Sequence, residues 1–276
     1  MTTPMNYNIA ILSYLFLWTP SFAQTSSDYI IMGNEYLASE NYAEAVNSYT
    51  AAIALDSTKS ETYYKRGKAH FLAENDEKAV IDFTKALSLD PMNPKAYFMR
   101  GQSNTYLGDN QAAIDDYFHA IELDSNYVEA YVKRAYVFLR MGETMGAFIF
   151  FTKAIDKDPN QPADVYFARG YCFLEINAFK QALEDFAIAI QLNPNYPEAY
   201  LNSGNASLHL KEYDKAFEFY DKALMLNPNY PKVYFARGFA YLNTGETDKA
   251  CNDWIRALEL GEMDAQAYIQ ENCQKY

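Results

Sequence analysis

The residue types that most often carry out chemistry are thinly spread in this sequence. The three histidines are His70, His119 and His209, and none has a second histidine or a cysteine three or four residues away. That spacing would place two metal ligands on one face of a helix, so its absence argues against a metal site. The sequence also lacks a glycine-rich phosphate loop and a G-x-S-x-G motif. We therefore expect no catalytic residues, no metal and no cofactor.

Arginine and aspartate recur together along the chain, with the aspartate 16 residues after the arginine. The pairs are Arg66 with Asp82, Arg100 with Asp116, Arg169 with Asp185, and Arg237 with Asp253. Because most units have both residues or neither, we expect an ion pair within each unit that has both. In the alternative interpretation the arginines bind an anionic ligand. Arg134 is an exception, since Phe150 stands where its aspartate would be.

These residues are carried by an internal repeat, which a column of tyrosines marks. The column is Tyr29, Tyr63, Tyr97, Tyr131, Tyr166, Tyr200, Tyr234 and Tyr268. Every step is 34 residues except the 35 residues from Tyr131 to Tyr166, where we expect a loop to absorb the extra residue. A fixed period of this length is typical of stacked helical repeats.

Further columns follow the first seven tyrosines at constant distances: glycine four residues later, replaced by Ala135 in the fourth unit, alanine at 16, an aromatic at 20 and alanine at 23. In the second unit these are Gly67, Ala79, Phe83 and Ala86. Such spacings place the columns on one face of two successive helices. The pattern predicts a helical hairpin in which glycine lets the two backbones approach and the aromatic fills the adjacent space. One hairpin cannot bury its apolar face alone, but stacked hairpins can.

The pattern resembles the tetratricopeptide repeat family in its 34-residue period and its Gly, Ala, aromatic, Ala and Pro columns, over Ser26 to about Asp264. The family often has tryptophan where this chain has its tyrosine column. The resemblance implies an all-α solenoid, a right-handed superhelix whose concave groove is lined by the first helix of each repeat. We predict one repeat domain, 24–276, with repeats at 26–59, 60–93, 94–127, 128–162, 163–196, 197–230 and 231–264. Residues 265–276 are predicted to form a C-terminal capping helix.

The cysteines occupy different columns of the repeat. Cys172 lies in a column of mostly small residues, which predicts a buried position. Cys251 lies on the face that meets the next helix, and that helix, the cap, carries Cys273. The two residues are therefore either a disulfide or two buried thiols.

The amino terminus and the charge bear on location and partners. Residues 1–23 contain no charged side chain, and Ser21-Phe22-Ala23 follows an apolar run. This predicts a signal peptide cleaved after Ala23 and a periplasmic or extracellular protein, although an uncleaved anchor or a protein that is not exported remains an alternative. No other stretch is long and apolar enough to span a membrane. The net charge of −13 argues against a nucleic-acid partner.

Three functional hypotheses follow. In the leading one, the chain is an interaction scaffold of the cell envelope that binds a peptide or protein segment in its concave groove. In the second, it is a structural subunit of an envelope assembly and uses its convex or end surfaces. The third, a helical-array carboxylate hydrolase, would need an Asp/Glu pair in a pocket. The acidic residues fall mostly in recurring surface columns, so we expect no enzymatic activity.

The predicted groove is the face of each first helix that lies opposite the tyrosine and glycine columns, in the second to fifth repeats. Its residues are Tyr64, Lys68, Phe71, Lys95, Phe98, Gln102, Tyr136, Arg140, Phe167 and Tyr171. Aromatic rings and basic groups together favour an extended, partly apolar and somewhat acidic partner segment. In the alternative interpretation the rings pack against the neighbouring repeat.

Overall fold

The computed structural model describes residues 25–273, which contain fifteen α-helices and no strand. The predicted signal peptide and residues 274–276 of the predicted cap lie outside the described residues. The helices are Ser26–Ala38 (α1), Tyr42–Leu55 (α2), Ser60–Leu72 (α3), Asp76–Leu89 (α4), Pro94–Leu107 (α5), Asn110–Leu123 (α6), Val128–Arg140 (α7), Thr144–Lys157 (α8), Ala163–Glu175 (α9), Phe179–Leu192 (α10), Pro197–His209 (α11), Tyr213–Leu226 (α12), Pro231–Asn243 (α13), Thr247–Glu259 (α14) and Ala265–Asn272 (α15).

The helices pair in tandem into seven hairpins, α1 with α2 through α13 with α14, and α15 packs on α14. The fold is therefore the predicted all-α repeat solenoid. Two compact units divide the chain: α1–α4 belong to the first, which ends at Asp90, and α5–α15 belong to the second, which begins at Pro91.

Glycine and aromatic columns meet inside each hairpin. A Cβ atom added to Gly170 would lie 2.7 Å from Cε1 of Phe186, and one added to Gly101 would lie 2.9 Å from Cε1 of Tyr117. The rings of Phe186 and Tyr117 are almost completely buried. Because a side chain at these positions would collide with a buried ring, the sequence needs glycine for close approach of the two helices.

The tyrosine column also has a polar function at the connection between hairpins. The hydroxyl groups of Tyr131, Tyr166 and Tyr234 donate hydrogen bonds to the carbonyl oxygens of Ser125, Pro159 and Pro228, at 3.2, 2.6 and 3.1 Å. Each acceptor lies in the loop that precedes the tyrosine's own helix. The ring contributes buried area while the hydroxyl satisfies a loop carbonyl, which accounts for tyrosine at this position.

The turn inside each hairpin has one residue with left-handed backbone geometry, always at the same repeat position. These residues are Glu40, Glu74, Gly108, Gly142, Asn177, Lys211 and Gly245, with φ between 57° and 83°. Left-handed geometry ends the first helix and reverses the chain.

Candidate partner-binding surface

The first helices expose the predicted groove residues to different degrees. Lys68, Lys95, Arg140 and Tyr171 are exposed, whereas Tyr64, Phe71, Gln102, Tyr136 and Phe167 are half-buried. Phe98 is buried. Tyr64, Lys68 and Phe71 belong to the first unit, where the Tyr64 ring lies 5.9 Å from the ring of Phe83 and burial raises the pKa of its hydroxyl.

The expectation of an exposed ring at Phe98 is wrong. Its side chain is 9% exposed, and its ring lies 4.8 Å from the ring of Tyr127 and 5.8 Å from that of Tyr117. Phe167 makes the equivalent contacts in its own hairpin, 5.7 Å from Phe186 and 4.8 Å from Tyr196. An aromatic at this position fills the space between the buried aromatic column and the connection that follows the hairpin. The alternative interpretation, in which the rings pack within the repeats, is therefore correct for Phe98, and it accounts for the ring contacts of the half-buried Phe167.

Two other predicted groove residues connect neighbouring hairpins. The Tyr136 hydroxyl donates to Oδ2 of Asp164 at 2.9 Å, and burial, together with the carboxylate, raises the pKa of Tyr136. Arg140 donates through Nη1 to the carbonyl oxygen of Thr105 at 2.9 Å and through Nη2 to the side chain of Asn110. These side chains fix the stacking of α7 against its neighbours and retain little hydrogen-bonding capacity for a partner.

A cavity of about 860 Å³ lies along the first helices of the fifth, sixth and seventh hairpins. It is lined by Tyr171, Leu174, Leu201, Asn202, Asn205, Leu208, His209, Lys211, Tyr213, Tyr230, Lys232, Phe235, Ala236, Phe239, Asn243 and Glu262. A smaller cavity of about 370 Å³ is lined by Tyr136, Leu139, Asp164, Phe167, Ala168, Tyr171 and Tyr196. Tyr171 lines both cavities, so of the predicted residues it is the one best placed to contact a partner.

Asparagine side chains supply polar groups to the larger cavity. Oδ1 of Asn205 accepts a hydrogen bond from the Tyr220 hydroxyl at 3.0 Å, which leaves the Asn205 amide nitrogen available to a partner. Asn202 and Asn243 instead donate through Nδ2 to carbonyl oxygens of their own helices, at 2.9 and 2.8 Å, and keep their side-chain oxygens available. Donors and acceptors beside apolar walls suit the main chain of a peptide.

The groove predicted from the sequence ended at the fifth repeat and therefore did not include most of the lining of this cavity. The two columns that marked Tyr64 and Lys68 continue as Leu201 and Asn205 in α11, and as Phe235 and Phe239 in α13. Extending those columns to the last two repeats would have found the lining.

Ion pairs join the first helix to the second helix in four hairpins, and the structure confirms that they form within hairpins. Side-chain nitrogens of Arg66, Arg100, Arg169 and Arg237 lie 2.7 Å from carboxylate oxygens of Asp82, Asp116, Asp185 and Asp253. The aspartates are buried. The hydrogen bonds that Arg66 donates to Asp82 raise the pKa of Arg66, which keeps the guanidinium charged. These arginines are therefore structural, because buried carboxylates already occupy their donors.

Arg134 has no carboxylate partner among residues 25–273 and instead lies among aromatic rings. Its guanidinium carbon is 4.4 Å from the ring centre of Phe150, 5.3 Å from that of Phe118 and 5.8 Å from that of Phe138. Burial lowers the pKa of Arg134, and its Nε makes no hydrogen bond within the described residues. Cation–π attraction replaces the ion pair in this hairpin.

The cysteines lie in two separate places. Cys172 is buried in α9, and burial raises the pKa of its thiol to about 12. Cys251 and Cys273 lie with their Cα atoms 5.8 Å apart and their sulfurs at bonding distance, which joins α14 to the end of α15. Within the part of the chain that the structure describes, no group of three or more His, Cys, Asp or Glu side chains is arranged to hold a metal ion, and no helix is long and apolar enough to cross a membrane.

Family models agree with this architecture. A tetratricopeptide repeat model matches residues 33–73, 101–142 and 204–245, and two further models of the same repeat match 60–93 and 129–160. Together the matches cover more than half of the chain. The chain belongs to the tetratricopeptide repeat family. No curated protein matches it in sequence.

Solved structures with tetratricopeptide repeats show the same fold. MamA is 29% identical, with a TM-score of 0.55 over 60% of this chain and 96% of its own. YrrB, described as a tetratricopeptide repeat protein with an unusual peptide-binding site, is 22% identical with a TM-score of 0.62 over 68% and 97%. The C-terminal part of a repeat protein from Cytophaga hutchinsonii is 18% identical with a TM-score of 0.67 over 84% and 97%.

Proposed function

We propose that this tetratricopeptide repeat protein is a binding scaffold that holds a peptide or protein segment against its first helices. The observation that carries the proposal is the cavity of about 860 Å³ along α9, α11 and α13, with apolar walls and available amide groups. Tetratricopeptide repeat proteins generally mediate contacts between proteins. YrrB, which shares the fold, is described as having a peptide-binding site, and this supports the proposal by analogy.

The chemistry of the cavity indicates what the partner segment contains. Lys211, Lys232 and His209 lie at its border with a single carboxylate, Glu262. A basic border in a chain of net charge −13 favours a segment with acidic residues, and Phe235 and Phe239 favour apolar side chains beside them. The smaller cavity at Tyr136, Phe167 and Tyr171 extends the surface toward α7. The second-repeat residues Tyr64, Lys68 and Phe71 remain a prediction for the first unit.

A displayed library of random short peptides tests the proposal, with affinities of selected peptides measured by fluorescence anisotropy. We expect Tyr171→Ala and Lys232→Glu each to weaken binding by about tenfold or more, since both side chains line the cavity. Met225→Ala is the matched control, because Met225 is 73% exposed on the second helix α12. If every selected peptide is insensitive to both cavity substitutions while the fold is intact, the first helices are not the binding surface.

We also propose that the scaffold works in the cell envelope or outside the cell. The leader-like residues 1–23 support export, and Cys251 and Cys273 are placed to form a disulfide, which persists in oxidising compartments. Intact-mass measurement of exported protein should find a chain that begins at Gln24 and lacks two thiol hydrogens. A retained leader would contradict the export proposal, and free thiols at both cysteines would contradict the disulfide.

A further inference from the structure

The fourth hairpin has a second helix unlike those of the other six. In α8 the first nine residues, 144–152, contain no charged side chain. Each of the other second helices has at least one aspartate, glutamate or lysine within its first nine residues. The difference is confined to one hairpin. It leaves positions that face solvent, where charged side chains are usual, without any charge.

Two apolar side chains in the uncharged part of α8 are exposed. Met145 is 55% and Ile149 is 43% exposed, and the four-residue spacing places them on one helical face. At the position of Met145 the fifth to seventh hairpins have Lys180, Asp214 and Asp248. Lys153 and Lys157 continue the same face toward the end of the helix, and both are exposed. We call Met145, Ile149, Lys153 and Lys157 the α8 stripe.

The charges at the two ends of the stripe have opposite signs, so two antiparallel copies would bring unlike charges together. Glu143 precedes α8 and is exposed at its amino-terminal end, while Lys153 and Lys157 lie in its carboxy-terminal half. None of the three has an ion-pair partner within residues 25–273. Two copies of α8 packed antiparallel about Ile149 would set the stem of Lys153 from one copy against Met145 of the other. Its ammonium group would then point toward Glu143. Parallel packing would instead align lysine with lysine.

From this arrangement we propose that the α8 stripe is the contact surface for a second copy of this chain, with the two α8 helices antiparallel across a two-fold axis near Ile149. The interface is isologous, as in most soluble dimers. A second copy fits better than an acidic or a basic partner, because the stripe and the adjoining Glu143 together present both signs of charge in a self-complementary order. The stripe itself has no carboxylate, so in a molecule of net charge −13 two copies can meet there without opposing carboxylates.

Dimerisation through one short helix buries little area, so we expect weak association that depends on concentration. Sedimentation equilibrium of the purified chain, from about 10 μM to about 500 μM, should show the mass rising from one chain toward two. Ile149→Glu places a carboxylate at the axis and should leave one chain throughout that range. Ile81→Glu is the matched control, since Ile81 occupies the same repeat position in α4 and is 66% exposed. It should dimerise like the unmodified chain.

A covalent test uses the same pair of positions. Ile149→Cys should give a disulfide-linked dimer on mild oxidation, because the two-fold axis brings both copies of the new thiol together, whereas Ile81→Cys should remain monomeric. Cys172 is buried and does not compete. A monomer at every concentration overturns the proposal and leaves the stripe to a different protein or to a lipid surface. A dimer that Ile149→Glu does not weaken, or that Ile81→Glu weakens equally, overturns it too.

Discussion

Arg169 of the fifth hairpin donates two hydrogen bonds of 2.7 Å to Asp185, whereas Arg134 of the fourth hairpin lies 4.4 Å from the ring centre of Phe150. The two arginines occupy the same repeat position, and the hairpins around them have the same helices and turn. In the fifth hairpin a buried carboxylate neutralises the guanidinium. In the fourth hairpin the guanidinium is surrounded by three aromatic rings. The repeat therefore tolerates two ways of holding a cation between its helices.

The packing columns, by contrast, are shared by the two hairpins. Phe151 and Phe186 have no exposed surface, and neither have the alanines that flank them. The only change among these columns is Ala135 in the fourth hairpin at the position of Gly170 in the fifth. Burial of rings and small residues defines the hairpin, and the ion pair is an addition to it. This is physically reasonable, since apolar burial supplies more free energy than a partly exposed ion pair.

The largest effect should be the same in both hairpins. Phe151→Ala and Phe186→Ala each remove a fully buried ring and leave a cavity, so each should lower the free energy of unfolding by about 3–5 kcal/mol. Urea denaturation followed by circular dichroism measures both. A loss below about 1 kcal/mol in the fourth hairpin alone would show that its core is not equivalent to that of the fifth.

The next effect should separate the two hairpins. Arg169→Leu leaves the buried carboxylate of Asp185, whose side chain is 4% exposed, without its cation, and should cost about 2–4 kcal/mol. Arg134→Leu leaves no unpaired charge and should cost less than about 1 kcal/mol. Equal losses in denaturant titrations of the two variants would contradict the distinction.

A smaller contrast concerns the glycine column. Gly170→Ala places a Cβ atom 2.7 Å from Phe186, and despite the better helix propensity of alanine it should cost about 1–2 kcal/mol. Ala135→Gly in the fourth hairpin should cost about 1 kcal/mol through backbone entropy alone. Thermal denaturation of the double variant Gly170→Ala with Phe186→Leu distinguishes a steric cost from a backbone cost. The smaller side chain of Phe186→Leu should relieve the clash, so Gly170→Ala should destabilise the protein less in that background. An unchanged destabilisation would show that the cost of Gly170→Ala arises from the backbone.

The smallest effect should come from Cys172, which occupies the position of Val137 in the fourth hairpin. Both side chains are buried, at 0% and 2% exposed. Cys172→Val should therefore change the free energy of unfolding by less than about 1 kcal/mol. Because burial raises the pKa of Cys172 to about 12, the native protein should also resist a thiol reagent at pH 8, and rapid labelling there would show that α9 opens locally.

Much of the fold could be predicted because the same pattern of residues occurs in seven successive repeats. The first helices begin at Ser26, Ser60, Pro94, Val128 and Ala163, and later at Pro197 and Pro231, where the columns place the start of each repeat. The pairing of Arg100 with Asp116 was predictable for the same reason, since both members vary together. Because the unit is repeated, residues at equivalent positions can be compared between repeats within this single chain.

The candidate site was less predictable, because position on a helical face does not determine exposure. Phe98 and Tyr171 both face away from the glycine column, yet Phe98 is 9% and Tyr171 is 38% exposed. Phe98 lies one residue after its column tyrosine, where Tyr127 of the following connection covers its ring, whereas Tyr171 lies five residues after its own. The cavity at the fifth to seventh hairpins depends on how successive hairpins stack, which a single repeat's pattern does not contain.

Double-mutant cycles on the two arginines test most directly the claim that one packing frame holds its cation in two ways. The cycle on Arg169 and Asp185 should give a coupling free energy of about 1.5–3 kcal/mol, as expected for hydrogen bonds between charged groups. The cycle on Arg134 and Phe150 should give about 0.5–1 kcal/mol. Raising the salt concentration should change neither value much, because both contacts are shielded from solvent. Equal coupling in the two hairpins, or strict additivity in the fifth, would contradict this account.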